Sequence, residues 1–158
     1  MGIAHGPLRP MSNEPYVQEF CVRWADMDFN QHMRNAAFLA CSEDTRMRFL
    51  DQHGFTMKEL EQRKLGPVVL EDRLVYKKEL KLLESFRVDL ALTNLTRDGR
   101  RFKVRNRFFR SSDDALCAVV ESVIVWFDLA ERKIVAPPAD LLNVWLTVER
   151  TQDFGWYD

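Results

Sequence analysis

The sequence predicts an α+β domain in which an antiparallel sheet curls around one long helix. Two observations carry that expectation. Met33 to about Leu50 contains neither Pro nor Gly, and the later segments are rich in β-branched and aromatic residues, with Phe86, Val88, Leu90 and Leu92 in alternation. The strands belong to a meander because Arg97-Asp98-Gly99-Arg100 and Ser111-Ser112-Asp113-Asp114 carry turn chemistry between the last three of them.

Taken in order, Met1 to Pro15 reads as a flexible arm, and 16–158 as a single domain. Tyr16 to Trp24 alternates partially and is a first strand. Ala25 to His32 is polar and irregular, hence a loop. In the long helix, Ala36, Ala37, Phe38, Leu39 and Ala40 make the first half apolar on nearly every side, so that half is expected to be buried. Ser42 to Arg48 is charged and is expected to emerge. His53-Gly54 ends the helix, and Thr56-Met57-Lys58-Glu59 matches a capping box that opens a short helix to about Lys64. Gly66-Pro67 stops it. Strands follow over Val68 to Tyr76, Ser85 to Leu95, Arg101 to Arg110 and Ala115 to Asp128. Pro137-Pro138 closes the sheet, and Ala139 to Leu146 suits a short helix. The apolar content of the Ala115 to Phe127 strand on more than one face suggests that a second copy of the chain covers part of the sheet.

Composition excludes several classes. With 23 Lys+Arg against 24 Asp+Glu, the formal charge of −1 gives no global field for nucleic acid or anionic membrane. Cys21, Cys41 and Cys117 are odd in number and widely spaced, which suggests neither a disulfide framework nor a thiolate metal site. No apolar run approaches the roughly 20 residues of a spanning helix, and the first residues carry no export signal. The expectation is a soluble, cytoplasmic protein without a membrane, metal or organic cofactor.

Asp28 lies just before a helix whose opening N–H groups lack partners, so its carboxylate is expected to stay ionised there. It can act as nucleophile or general base toward a carbonyl carbon, while the helix N–H groups hold the developing oxyanion. Asn30 and His32 follow at alternate positions and can point the same way. Asn can orient a water or a carbonyl, and neutral His can move a proton. The same residue types also serve as ordinary turn and capping residues.

The run Arg23-Trp24-Ala25-Asp26-Met27-Asp28-Phe29-Asn30-Gln31-His32-Met33-Arg34-Asn35 resembles the start of hotdog-fold acyl thioesterases. It is similar to the 4-hydroxybenzoyl-CoA thioesterase group, with its pattern D-x-D-x-x-G-H-V-N-N-x-x-Y, and its D-x-N-Q-H portion to the plant acyl-carrier-protein thioesterases. The resemblance implies a hotdog fold and hydrolysis of an acyl-CoA or acyl-carrier-protein thioester. It implies Asp28, Asn30 and His32 as catalytic residues, with Gln31, Met33, Arg34 and Asn35 against the substrate. Three positions depart from the bacterial pattern: Gln31 replaces Gly, Arg34 replaces Asn, and Phe38 replaces Tyr. The plant enzymes carry two hotdog halves in one chain, so a homodimer, or a dimer of dimers, is expected here. Tyr76-Lys77-Lys78-Glu79-Leu80 is similar to the Y-R-R-E-C stretch of their second half, which makes Glu79 either a site residue or a surface turn charge.

Other features compete. Arg101, Lys103, Arg105 and Arg107 share one strand face that could take the nucleotide end of coenzyme A, an acidic carrier protein or nucleic acid, or simply pair with neighbouring acids. Glu43 and Asp44 could face the site or pair along the helix. Cys21 or Cys41 with His32 would be a nucleophilic pair, whereas buried cysteines are usually inert. His5 and His53 are isolated, and no G-x-S-x-G is present. A hotdog domain that binds an acyl or aromatic ligand without hydrolysing it is the alternative function.

Overall fold

The computed structural model describes residues 15–157, so the arm expected at 1–15 lies outside the described residues apart from Pro15. Strand β1 (Tyr16–Cys21) leads through a single 3-10 turn at Trp24–Asp26 to helix α1 (Asn35–Gln52) and the short helix α2 (Met57–Gln62). Four long strands follow: β2 (Leu65–Tyr76), β3 (Ser85–Thr96), β4 (Arg101–Arg110) and β5 (Leu116–Asp128). The chain then forms β6 (Lys133–Ile134), α3 (Ala139–Trp145) and β7 (Arg150–Tyr157).

The sheet runs β1-β3-β4-β5-β2, with β6 added to β5 and β7 to β3. All pairings are antiparallel except β7 with β3. The meander β3-β4-β5 forms as expected, and a long helix against an antiparallel sheet is the architecture anticipated from the alternation.

Two boundaries differ for identifiable reasons. Helix α1 begins at Asn35 rather than Met33, because the Met33 N–H donates to the Leu80 carbonyl at 2.8 Å and is spent outside the helix. Strand β2 includes Gly66 and Pro67, which pair with Phe127 and Trp126 instead of stopping the chain. A proline is tolerated there because β2 is an edge strand. The capping box is half made: Thr56 Oγ1 accepts the Glu59 N–H at 3.2 Å, while the Glu59 carboxylate accepts from Arg63 Nε at 2.7 Å.

Strand β7 went unread in the sequence. It pairs Leu92 with Arg150 and then jumps to Asn94 with Gly155, so residues 151–154 arch away from the ladder and leave no alternation to detect.

The core divides in two. Phe38, Phe86, Phe108 and Val120 belong to one apolar cluster, and Phe49, Phe102, Ile124 and Trp126 to the other. Between them the same elements place polar residues: Ser42 and Arg46 on α1, Asn106 on β4, Ser122 on β5. This corrects the expectation that Ser42 to Arg48 emerges. Arg46 is 6% exposed, its Nη1 donating to Ser122 Oγ at 3.2 Å and Asn106 Oδ1 at 3.4 Å, and Ser122 Oγ donates on to Asp72 Oδ1 at 2.6 Å. Burial pushes the Arg46 guanidinium down, and the charges of Asp72 and Glu43 oppose it. The apolar half of α1 is not buried all round either, since Ala36 and Ala40 are exposed in the single chain.

Candidate active site

The loop between β1 and α1 is closed at its base by Asp26. Arg23 donates to it through Nε at 2.9 Å and Nη2 at 2.8 Å, and the Arg23 N–H adds a third bond at 2.9 Å. Hydrogen bonding by Arg23 holds the Asp26 carboxyl below its ordinary range. The Asp26 carbonyl accepts the Arg34 N–H at 2.8 Å, which brings both ends of the loop together.

Inside that frame the chain wraps around Asp28. Its Oδ1 accepts the N–H groups of Asn30 at 2.8 Å and His32 at 3.0 Å, its N–H donates to the His32 carbonyl at 2.8 Å, and its carbonyl accepts the Gln31 N–H at 3.2 Å. The turn needs a left-handed residue, and Gln31 provides it with φ 63°. A glycine would adopt that conformation without strain. One oxygen of Asp28 is therefore a turn acceptor, and the other has no hydrogen bond among the described residues.

Asp28 and His32 face a cavity of about 340 Å³ with Asn35, Lys77, Lys78 and Glu79 around it. Met33, Phe38 and Tyr76 complete its wall, the last two rings meeting edge to face at 5.8 Å. The far side is positioned by the Leu80 carbonyl, which accepts from Met33, and by the Cys117 carbonyl, which accepts the N–H groups of both Lys77 and Lys78. At the start of α1 the N-cap Arg34 contributes no side-chain cap. The Ala36 N–H is taken by Asn35 Oδ1 at 2.8 Å and the Ala37 N–H by the Arg34 carbonyl at 3.0 Å. The Asn35 N–H has no acceptor among the described residues, and Asn35 is one of the residues that line the cavity, so the positive end of the helix lies beside it.

Of the residues singled out in the sequence, Asp28, His32, Met33 and Asn35 line the cavity, while Asn30, Gln31 and Arg34 are exposed and lie outside its wall. Phe38, Tyr76, Lys77 and Lys78 were not anticipated as site residues. The similarity of the stretch Tyr76 to Leu80 to a family segment was the signal for the last three, and the place of Phe38 where the bacterial pattern has Tyr was the signal for the first.

The competing candidates fare differently. Burial pushes the Cys41 thiol up to about 12, which keeps it protonated at neutral pH. Asp44 pairs with Arg48, and neither it nor Glu43 reaches the cavity wall. Three of the four basic residues on that face of β4 are paired, Arg105 with Glu121 and Asp153, Lys103 with Glu121, and Arg107 with Asp89, while the Arg101 guanidinium lies over the Tyr157 ring. Among the described residues no group of three or more His, Cys, Asp or Glu could hold a metal ion, and no helix is long and apolar enough to cross a membrane.

The model of the thioesterase-like superfamily matches residues 22–145, a span that runs from the end of β1 through α3. The chain belongs to that superfamily. Solved structures agree on the hotdog fold. A Staphylococcus aureus protein in complex with CoA superposes with a TM-score of 0.80 at 21% identity, over 96% of this chain and 94% of that one. A 1,4-dihydroxy-2-naphthoyl-CoA thioesterase from Synechocystis gives 0.74 at 16% identity over 83% and 95%. A hypothetical protein from Aquifex aeolicus gives 0.75 at 25% identity over 82% and 98%. The loop-then-helix segment lies within the matched region, and Asp28 and Asn35 line one cavity there.

Proposed function

We propose that this protein hydrolyses an acyl thioester, carried by coenzyme A or a carrier protein, to a free acid and a thiol. The observation that carries the reading is that Asp28 and Asn35 line the same cavity. A carboxylate with one oxygen anchored by two backbone N–H groups and the other unbonded shares a cavity with Asn35, the first residue of α1, whose N–H has no acceptor among the described residues. The anchored oxygen sets the side chain's orientation, and the free one accepts a proton from water or attacks the carbonyl carbon directly. The carbonyl oxygen, negative in the tetrahedral intermediate, accepts from the Asn35 N–H. Collapse breaks the C–S bond: on the general-base route the proton that Asp28 took from water passes to the thiolate, with His32 as the cavity group suited to carry it, and on the direct route water then cleaves the Asp28 acyl anhydride, giving the free acid, the regenerated carboxylate and the proton the thiolate takes up. Asn30 acts through its N–H, which holds Asp28, and Gln31 and Arg34 shape the loop and helix start beside Met33 and Asn35.

A second copy completes the site in this reading, as a dimer or a dimer of dimers. Val68, Val69 and Leu70 are exposed on the edge strand β2, and Ala36 and Ala40 are exposed on α1, so apolar surface lies beside an unpaired sheet edge. Light scattering of wild type and Leu70→Lys tests this, with dissociation of the variant as the expected result. Three cysteines that form no disulfide are in keeping with a cytoplasmic setting.

The decisive experiment compares wild type with Asp28→Asn on a panel of acyl-CoA and acyl-carrier-protein thioesters. Turnover should fall by roughly 10²-fold or more while the fold persists. Wild-type turnover in the variant would reject the assignment, and tight ligand binding without thiol release would make the protein a binding module.

A further inference from the structure

The cavity wall at residues 77–79 belongs to the connection between β2 and β3, and it is fastened from three parts of the fold. The Cys117 carbonyl on β5 accepts the N–H groups of Lys77 and Lys78, and the Leu80 carbonyl accepts the Met33 N–H. The third fastening comes from Arg110, the last residue of β4, whose Nη2 donates to the Glu79 carbonyl at 2.6 Å. Arg110 itself does not line the cavity.

The guanidinium is placed for that carbonyl rather than for an acid. Its side chain is only 16% exposed, and its Nε stands 3.6 Å from Glu84 Oε2 without a hydrogen-bond partner among the described residues. An ordinary surface ion pair would not leave a buried donor unpaired. The rest of the residue is braced by the turn between β4 and β5: the Arg110 N–H donates to the Ala115 carbonyl at 2.9 Å, and Nη1 donates to Asp113 Oδ2 at 2.9 Å. A planar, rigid fork held in this way presents its remaining arm to Glu79 at a fixed place.

Successive carbonyls of the wall are thus taken from opposite sides, Glu79 by the sheet and Leu80 by the loop before α1. Burial of the Leu80 side chain fixes where that residue sits, but the planar peptide before it can turn unless its carbonyl is held. Met33 in turn forms an antiparallel bridge with Met27, and these two residues flank the turn in which Asp28 accepts from Asn30 and His32. Hydrogen bonds therefore connect Arg110, through the peptide between Glu79 and Leu80, to the base of the Asp28 turn.

Resting on the thioesterase reading above, we propose that Arg110 is a positioning residue, which by holding the Glu79 carbonyl sets the spacing between the wall at 77–79 and the Asp28 turn. That spacing governs how the thioester carbonyl sits against the carboxylate, and a misplacement of about 1 Å is enough to cost roughly 10²-fold in rate.

The test compares three variants. Arg110→Met keeps the apolar stem and removes the donors, Arg110→Lys keeps one charged donor, and Asp113→Asn weakens the ion pair while leaving the bond to Glu79. With an acyl-CoA thioester, kcat should fall about tenfold or more in Arg110→Met while KM changes by less than about threefold. Arg110→Lys should recover to within about threefold of wild type, and Asp113→Asn should stay near it. Independently of turnover, amide hydrogen exchange at Met33 should quicken in Arg110→Met and not in Asp113→Asn. Unchanged kcat in Arg110→Met, an equal loss in Asp113→Asn, no recovery in Arg110→Lys, or unchanged Met33 exchange would each overturn the proposal. If Arg110→Met is recovered unfolded, Arg110→Gln, which lacks the reach and the charge, is read against the same outcomes. If wild type hydrolyses no thioester while Met33 exchange depends on Arg110, the bracing of the wall stands and the hydrolytic reading alone falls.

Discussion

The exposed Arg23 grips the buried Asp26 through both carboxylate oxygens, and this pairing, not the catalytic candidate itself, is what closes the loop that presents Asp28. Asp26 lies outside the cavity wall, so its contribution is positional. Asp26→Asn should lower kcat by about tenfold or more through misplacement of Asp28. The depressed Asp26 carboxyl also contributes stability that is present above its unfolded value, near pH 4, and is lost as pH falls through the lower folded value. Thermal melts of wild type should therefore lose Tm more steeply below about pH 4 than those of Asp26→Asn.

Asn35 occupies the first position of α1, where proline is accommodated and where Arg34 already has the extended backbone, φ −77° and ψ 157°, that precedes proline comfortably. Asn35→Pro removes the one open N–H and leaves the helix intact. Its kcat should fall about 10²- to 10³-fold, as for loss of an oxyanion donor. Asn35→Ala loses only the side-chain bond to Ala36 and should retain most of the activity. Equal activities of the two variants would remove Asn35 from the mechanism.

Gln31 is left-handed at φ 63°, a conformation that costs an L residue roughly 1–2 kcal/mol. Gln31→Gly is expected to be neutral to stabilising by up to about 1 kcal/mol, and Gln31→Val destabilising by about 1–2 kcal/mol. Urea denaturation midpoints would rank them Gly, Gln, Val. The opposite order would mean that Gln31 makes a compensating contact.

The polar layer in the core behaves as a unit. Ser122→Ala leaves the buried Arg46 without its relay to Asp72 and should cost about 1–3 kcal/mol. Arg46→Met, which removes the guanidinium itself, should be close to neutral or stabilising. Should Arg46→Met prove the more damaging of the two, the layer contributes net stability rather than a burden.

The α+β class, the meander and the polar loop before the helix follow from local rules: alternation along β3, β4 and β5, turn residues between them, and an unbroken helix-forming stretch. Asp28 and His32 were legible through the resemblance of the run around them to a known family, and a short loop beside a helix keeps such neighbours in sequence together in space. Lys77 and Lys78 were not, because they reach the cavity only when Met33 binds the Leu80 carbonyl across some 47 residues of chain, from position 33 to position 80. Arg46 resisted reading too: charge on a helix argues for solvent, and only the sheet's supply of Asn106 and Ser122 at matching depth makes burial tolerable. Periodicity along the chain thus determined which residues form strands and helix and where the polar loop before the helix lies. Which cations find acidic partners and what closes the cavity were decided by tertiary contacts, because charge pairing and hydrogen-bond satisfaction depend on distances that no linear spacing encodes.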